Sequence, residues 1–184
     1  MADRSTILSL FDDYEARFPD ESTTVERIRR FVENHPDCFE RSLKTGHITG
    51  SAWVLDRQRQ RVLLTHHRKL NIWVQLGGHA DGESDVSVVA MKEATEESGI
   101  ADLQLADSRI FDIDIHAIPA RGDEPEHYHY DCRFLIQTTS TDDYVVSEES
   151  HDLAWVPLTE VSQLSDEASL LRMVRKTTSQ ATTE

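Results

Sequence analysis

The segment SDVSVVAMKEATEESGI, residues 84–100, decides the fold of this chain. Val86, Val89 and Ala90 recur at helical spacing, so the segment predicts a helix over residues 84–98 with an apolar stripe on its first two turns. Seven residues make about two helical turns, and the residues seven places further on are all glutamates. The spacing therefore predicts that the apolar stripe becomes acidic toward the end of the helix.

These three glutamates are Glu93, Glu96 and Glu97. Carboxylates that converge on a partly buried patch repel one another and lose hydration, so a cation is expected among them. Mg²⁺ or Mn²⁺ prefers oxygen ligands, binds phosphates and can lower the pKa of a bound water. The competing interpretation is a solvated acidic helix end, and spacing alone favours it over the metal site.

The residues upstream extend the pattern. Gly78–Ile100 resembles the Nudix box of the Nudix hydrolases, in which glycine, five residues, glutamate and seven residues precede Arg-Glu-aliphatic-x-Glu-Glu-x-Gly-aliphatic. Lys92 stands where the family has arginine, and lysine offers a point charge instead of a planar fork. Glu83 lies one position before the first glutamate of the pattern, which falls on Ser84.

The order of strand-like and helical segments along the chain agrees with this resemblance. Strand-like segments and helices alternate from about Gly46, which predicts a mixed sheet with helices on its faces. The expected class is α/β (α+β), a Nudix-like α/β/α sandwich over residues 46–176. Residues 1–45 are expected to add a helical hairpin packed on it, with a capping box at Thr23 and Glu26, and 177–184 to form a frayed tail.

The resemblance also implies a reaction. It implies metal-dependent hydrolysis of a diphosphate linkage, in a nucleoside diphosphate linked to another moiety, by attack of metal-associated water on phosphorus. Glu93 and Glu97 would bind Mg²⁺ (or Mn²⁺), and Glu96 would either be a further ligand or orient the water. The carbonyl of Gly77 or Gly78 would complete the metal shell.

The resemblance assigns supporting catalytic roles to residues other than the metal ligands. Lys92 would orient the glutamates, and Glu83 would have the supporting role of the first glutamate of the box. The general base of the family varies, and Glu148 or Glu149 in an acidic loop is the candidate here, with simple surface exposure as the alternative.

Two other functions compete. A catalytically inactive Nudix-fold module that binds nucleotide or regulates would be indicated by damage to the three glutamates, and all three are present. An isoprenoid diphosphate isomerase would use a cysteine near the glycine loop, and that loop contains none.

Basic residues near the glycine loop are candidates for binding substrate phosphates. His66 and Arg68 precede the loop and His79 follows it, although an ordinary surface loop explains them equally well.

Arg133 is a further candidate because it belongs to a set of polar residues that alternate along two predicted strands. These residues, the polar wall, are Asp112, Asp114, His116, His127, His129, Asp131 and Arg133. The wall could bind a phosphate, a sugar or a second metal, but the solvated face of an antiparallel sheet is the favoured interpretation.

Composition limits the partners. The net charge of −15 argues against a long nucleic acid or a membrane surface as partner. The resemblance to the Nudix hydrolases implies a small nucleotide-type substrate. Two distant cysteines form no disulfide framework, and the N-terminus has no apolar leader, so a cytoplasmic location is expected. The sequence is compatible with a homodimer.

Overall fold

A computed structural model describes residues 3–67, 71–123, 125–146 and 150–181. Arg68, Glu148 and Glu149, to which the sequence assigned candidate roles, lie outside these ranges. Among the described helices, none has the length and apolar character needed to cross a membrane.

The helices follow the apolar periodicity of the sequence. Within the described ranges they are α1 (Ser5–Arg17), α2 (Ser22–Asn34), α3 (Val86–Ser98), α4 (Val161–Leu164) and α5 (Ala168–Ala181). The predicted capping box at Thr23 and Glu26 is wrong, because α2 begins one residue earlier and has no side-chain cap. A 3₁₀ turn over Pro19–Glu21 leads directly into α2, and the Pro19 carbonyl accepts a hydrogen bond from the Ser22 N–H.

The strands form a sheet whose order along the main path is β3-β2-β1-β7-β5, while β4 pairs with β1, β6 with β7 and β8 with β2. Their bounds are β1 (Gly46–Leu55), β2 (Arg61–His67), β3 (Trp73–Val74), β4 (Leu76–His79), β5 (Leu103–Leu105), β6 (Asp112–Ile118), β7 (His127–Thr138) and β8 (Ser150–Pro157). The predicted mixed sheet with flanking helices, of the α+β class, is confirmed. Residues 73–79 form two short strands, β3 and β4, which pair with different neighbours.

The chain forms two compact units, and β1, β4, β7 and α3 each contribute residues to both. The first unit comprises Met1–Ser51, Gly77–Ala90 and Asp107–Phe134, and the second comprises Ala52–Leu76, Met91–Ala106 and Leu135–Glu184.

In the first unit the N-terminal helices pack on β6 and β7. The Phe31 ring of α2 stacks on Tyr130 of β7 with centroids 3.9 Å apart. The Ile113 N–H of β6 donates to the buried Tyr14 hydroxyl at 3.2 Å. Burial of these rings removes apolar surface from water, which is the main stabilising contribution to such a contact.

In the second unit α5 packs close to the last residues of β1. Trp53 Nε1 donates to Thr177 Oγ1 at 2.9 Å, and both side chains are buried. The helix runs to Ala181, five residues beyond the predicted end at Lys176. Fraying was expected from residue 177, but Thr177 satisfies a buried indole N–H and is held in the helix.

Candidate functional site

Two side-chain carboxylates hold the beginning of α3. Asp85 Oδ1 accepts hydrogen bonds from the Ser87 N–H at 3.1 Å and from the Ser87 hydroxyl at 2.6 Å, as an N-cap residue does. Glu83 Oε1 accepts one from the Asp85 N–H at 2.8 Å. Negative charge is favourable at a helix N-terminus, so these contacts give Glu83 a local role in starting the helix.

The first two turns of α3 pack on β1 as the apolar stripe requires. Val86, Val89 and Ala90 are buried. A Cβ added to Gly50 of β1 would lie 2.9 Å from both the Val86 carbonyl oxygen and Val89 Cβ. Glycine at this position therefore allows the helix to approach the strand closely.

The acidic half of α3 departs from the prediction at one residue. The Glu93 side chain is 19% exposed and Glu97 is half-buried, but the Glu96 side chain is 59% exposed. The buried face continues instead through Ala94 and Ser98. Two residues correspond to about 200° around a helix, so Glu96 lies on the side opposite both Ala94 and Ser98 and faces solvent.

Lys92 lies between two of these glutamates. Its Nζ is 3.4 Å from Glu93 Oε1 and 3.5 Å from Glu96 Oε2. The Glu93 carboxylate raises the pKa of Lys92, so the ammonium is held charged. Lysine can thus contact both carboxylates, although as a point charge and without the bidentate geometry of arginine.

A second cluster of titratable side chains lies in the first unit, on β1, β4, β6 and β7. Five imidazole rings form it, each within 5.4 Å of at least one other (centroid to centroid), and we call it the histidine cluster. Its members are His47, His79, His116, His127 and His129. The sequence predicted that His116, His127 and His129 belong to one polar wall. It did not indicate that His47 or His79 lies beside them, because β1 and β4 are distant in sequence from β6 and β7.

The centre of this cluster is deeply buried. His47 is 2% exposed, and among the described residues neither of its ring nitrogens has a hydrogen-bond partner. The same holds for Nε2 of His129. Burial, with His79 and His127 nearby, lowers the pKa of His47 to about 4, and burial beside His47 lowers the pKa of His129 to about 2. Both rings are neutral at pH 7, and an unsatisfied buried polar atom costs about 1–3 kcal/mol.

Two histidines of the cluster contact acceptors. The ring Nδ1 of His127 lies 2.9 Å from the Pro125 carbonyl oxygen. A carbonyl can only accept, so this nitrogen carries the proton and Nε2 of His127 keeps its lone pair. His116 Nδ1 lies 3.5 Å from Asp114 Oδ2.

The polar wall continues from the histidines into a buried ionic network. The register of β6 and β7 pairs His116 with His129, Asp114 with Asp131 and Asp112 with Arg133, so the polar faces of the two strands coincide. The favoured interpretation of a solvated face is wrong for most of the wall, because Asp112, Asp131, Arg133 and His127 are at most 5% exposed. The His116 side chain, at 42% exposure, does face solvent.

Three carboxylates contact the guanidinium of Arg133. Its guanidinium nitrogens lie 2.7 Å from Asp131, 3.2 Å from Asp112 and 3.5 Å from Asp114, and its side chain is 3% exposed. The other oxygen of Asp131 accepts from Thr49 and Ser51 of β1 at 2.9 and 2.7 Å. These contacts favour a structural role for Arg133 over the predicted contact with substrate.

The remaining predicted residues lie in different surroundings. His66 of β2 is half-buried and stacks on Trp73, with ring centroids 5.2 Å apart. Gly77 begins the glycine pair on β4, and a Cβ there would meet Ser51 of β1 at less than van der Waals distance. This close approach is why β4 needs glycine, whereas a role for the Gly77 carbonyl in metal binding stays a prediction.

An open cleft of about 360 Å³ borders the histidine cluster at His127. Its other lining residues are Arg41, Ser42, Leu43, Lys44, Asp123 and Pro125. Arg41 forms an ion pair with Asp81, in the loop that follows the glycine pair. The cleft therefore offers basic side chains beside a buried imidazole.

The family model of the NUDIX domain matches residues 46–176. The chain belongs to the Nudix family. This confirms the resemblance drawn from Gly78–Ile100, and with it the assignment to a family of Nudix-type hydrolases. No curated protein matches the sequence significantly.

Solved structures of other Nudix proteins share this fold. An Ap4A hydrolase of C. elegans in a binary complex is 18% identical with a TM-score of 0.60, and the match covers 74% of this chain and 98% of that one. The dihydroneopterin triphosphate pyrophosphohydrolase of E. coli is 15% identical with a TM-score of 0.57, covering 70% and 92%. The NUDIX domain of Shewanella oneidensis NrtR, complexed with ADP ribose, is 14% identical with a TM-score of 0.50, covering 77% and 92%. At these identities the likeness concerns the fold alone.

Proposed function

We propose that this Nudix protein hydrolyses a diphosphate linkage in a nucleoside diphosphate joined to another moiety, and that it needs Mg²⁺ or Mn²⁺ to do so. The observation that carries the proposal is the acidic half of α3, where the Nudix box retains Glu93, Glu96 and Glu97. Loss of one of these glutamates would have favoured a module that only binds, and all three are present.

The donor set of α3 fits a hard divalent cation. Glu93 and Glu97 are partly withdrawn from water, and Glu96 stands in solvent beside Lys92. Carboxylates one helical turn apart supply oxygen ligands from one helix face, which Mg²⁺ and Mn²⁺ prefer. Glu93 and Glu97 would hold the ion, with Glu96 as a further ligand.

The bound cation would neutralise phosphate charge and make a water more acidic. The chain's own residues would position the groups around it. Lys92 limits the positions that the Glu93 and Glu96 carboxylates can take, because its ammonium lies within 3.5 Å of both. Glu96, the most exposed of the three, is the residue best able to orient an attacking water. Glu83 holds the beginning of α3, so its contribution to catalysis is indirect.

Substrate phosphates would need positive charge from elsewhere, since the net charge of the chain is −15. His66 and His79 remain candidates for this contact. The structural relatives suggest substrates to try first, namely dinucleoside polyphosphates, pterin triphosphates and ADP-ribose, in addition to nucleotide sugars.

A substrate panel tests the proposal. Each compound is incubated with the protein and either Mg²⁺, Mn²⁺ or a chelator, and the products are identified by mass spectrometry in water enriched in ¹⁸O. We expect at least one compound to be cleaved between its phosphates, with ¹⁸O in one phosphate product and no turnover in chelator. Tight binding of a compound without turnover of any would instead favour the nucleotide-binding module.

A further inference from the structure

The histidine cluster suggests a second metal site, chemically different from the carboxylates of α3. We infer that His47, His127 and His129 form a binding site for a divalent transition-metal ion of the Zn²⁺ class. One ring nitrogen from each of these three histidines lies within 4.8 Å of the corresponding nitrogens of the other two. The inference goes beyond the proposed hydrolysis and does not depend on it.

The first argument is the state of the buried nitrogens. His47 is 2% exposed, yet both its ring nitrogens, and Nε2 of His129, lack a hydrogen-bond partner within the described part of the chain. Buried polar atoms in folded proteins are nearly always paired, so unpaired ones call for an explanation. Since a neutral imidazole has a single lone pair, a metal ion would account for one nitrogen of His47 and for Nε2 of His129.

The second argument is the tautomer of His127. Its Nδ1 donates to the Pro125 carbonyl oxygen, which leaves Nε2 with a lone pair. Histidines that bind metals almost always donate their other ring N–H to a carbonyl or a carboxylate in this way. His127 therefore has the hydrogen bonding of a metal ligand.

The chemistry of the donor set decides the class of ion. Imidazole nitrogen suits Zn²⁺ and other first-row transition ions, whereas Mg²⁺ takes oxygen ligands. Tetrahedral Zn²⁺ with Zn–N bonds of about 2.0–2.1 Å holds its nitrogens about 3.3 Å apart. Side-chain rotations that draw the rings about 1–1.5 Å closer would meet this geometry.

A fourth metal ligand and an open cleft lie next to the three rings. His79 lies with its ring centroid 4.9 Å from that of His47 and 5.2 Å from that of His129. Either His79 or a water can complete four-coordination. The open cleft lined by Lys44, Pro125 and His127 borders the site at His127.

Metal binding by the whole chain tests the inference. The protein is first freed of metal, and Mg²⁺ is then added in large excess to occupy the α3 carboxylates. Zn²⁺ uptake is measured by equilibrium dialysis with elemental analysis, and Co²⁺ is used in parallel as a spectroscopic probe. We expect one Zn²⁺ per chain and a visible Co²⁺ spectrum of four-coordinate nitrogen ligation.

Matched variants assign the site. His127→Gln and His129→Gln should each weaken Zn²⁺ binding at least about 100-fold. Glu97→Gln, on α3, and His35→Gln, at the end of α2, should leave it within about threefold. X-ray absorption of the Zn²⁺-loaded wild-type protein reports the number of imidazole ligands without any substitution, so a variant that fails to fold does not block the test.

Three results would overturn the inference. They are no Zn²⁺ uptake by the wild-type protein in excess Mg²⁺, uptake that survives in the His127→Gln/His129→Gln double variant, and uptake that is lost in Glu97→Gln alone. Diphosphate hydrolysis is measured separately with Mg²⁺, so none of these results decides it.

Discussion

Arg133 Nε donates a 2.7 Å hydrogen bond to Asp131 Oδ2, and the side chains of both residues are at most 3% exposed. This pair joins β7 to β1, because the other oxygen of Asp131 accepts from Thr49 and Ser51. A buried charge is tolerated only when its partners remain in place, so the network is expected to be sensitive to the loss of a single member.

The first prediction concerns that network. Arg133→Met leaves Asp112, Asp114 and Asp131 without their cation, and we expect the free energy of unfolding to fall by about 3–5 kcal/mol. Urea denaturation followed by circular dichroism measures it. Arg30→Met is the matched control, because Arg30 pairs with Glu26 on the surface and should contribute about 0.5 kcal/mol. A loss of less than 1 kcal/mol for Arg133→Met would contradict the structural role of Arg133.

The second prediction concerns Lys92. If its ammonium positions Glu93 and Glu96, Lys92→Ala should lower kcat/KM of the proposed hydrolysis by about 10- to 100-fold, as the loss of a residue that orients metal ligands does. Lys92→Arg should stay within about threefold of wild type, because arginine keeps the charge. Both are assayed on whichever compound the substrate panel identifies. Equal activity of Lys92→Ala and wild type would show that the contacts with Glu93 and Glu96 have no catalytic role.

The third prediction tests the close approach of α3 to β1. In Gly50→Ala the added Cβ would meet the Val86 carbonyl oxygen and Val89 Cβ at 2.9 Å, so the helix must move away from the strand. We expect a loss of about 3 kcal/mol in the free energy of unfolding. Gly122→Ala has no atom within 4 Å of the new Cβ, and its loss, due only to a φ of +58°, should be about 1 kcal/mol. Wild-type stability of Gly50→Ala would contradict this packing.

The fourth prediction concerns the two thiols, both of which are buried. Burial raises the pKa of Cys38 to about 11 and that of Cys132 well above its usual range. The thiolate is the reactive form, and at pH 8 roughly one Cys38 in a thousand would carry it. Iodoacetamide should therefore leave the folded protein unmodified in intact-mass spectra while adding two labels in urea. Labelling of either thiol at the same rate with and without urea would contradict the burial.

The helix that carries the Nudix box could be predicted closely from sequence. The predicted helix over residues 84–98 begins two residues before α3 and ends with it at Ser98. Gly99, which follows, has a φ of +68°, a conformation that suits the end of a helix. The predicted partly buried acidic patch was right for Glu93 and Glu97 but not for Glu96. The buried face continues through Ala94 and Ser98, and Glu96 lies about 200° around the helix from each of them.

Features that depend on contacts between distant segments were not predictable. The alternation along β7 placed His127, His129, Asp131 and Arg133 on one side, but nothing local revealed whether that side is covered. Burial of the wall, and the meeting of His47 with His79, depend on the pairing of β1 with β4 and on its place beside β7. A sequence shows the period of a strand and not what packs against it.

The most direct test of the central claim is the effect of Glu97→Gln on turnover of the best panel substrate, measured at saturating Mg²⁺. Glutamine keeps the size of the side chain but removes the anionic charge that would bind the metal. We predict a fall in kcat of at least about 100-fold with an unchanged free energy of unfolding, while Glu33→Gln, an exposed glutamate on α2, retains full activity. Unaltered turnover by Glu97→Gln would contradict the account and place the metal, and the reaction, away from α3.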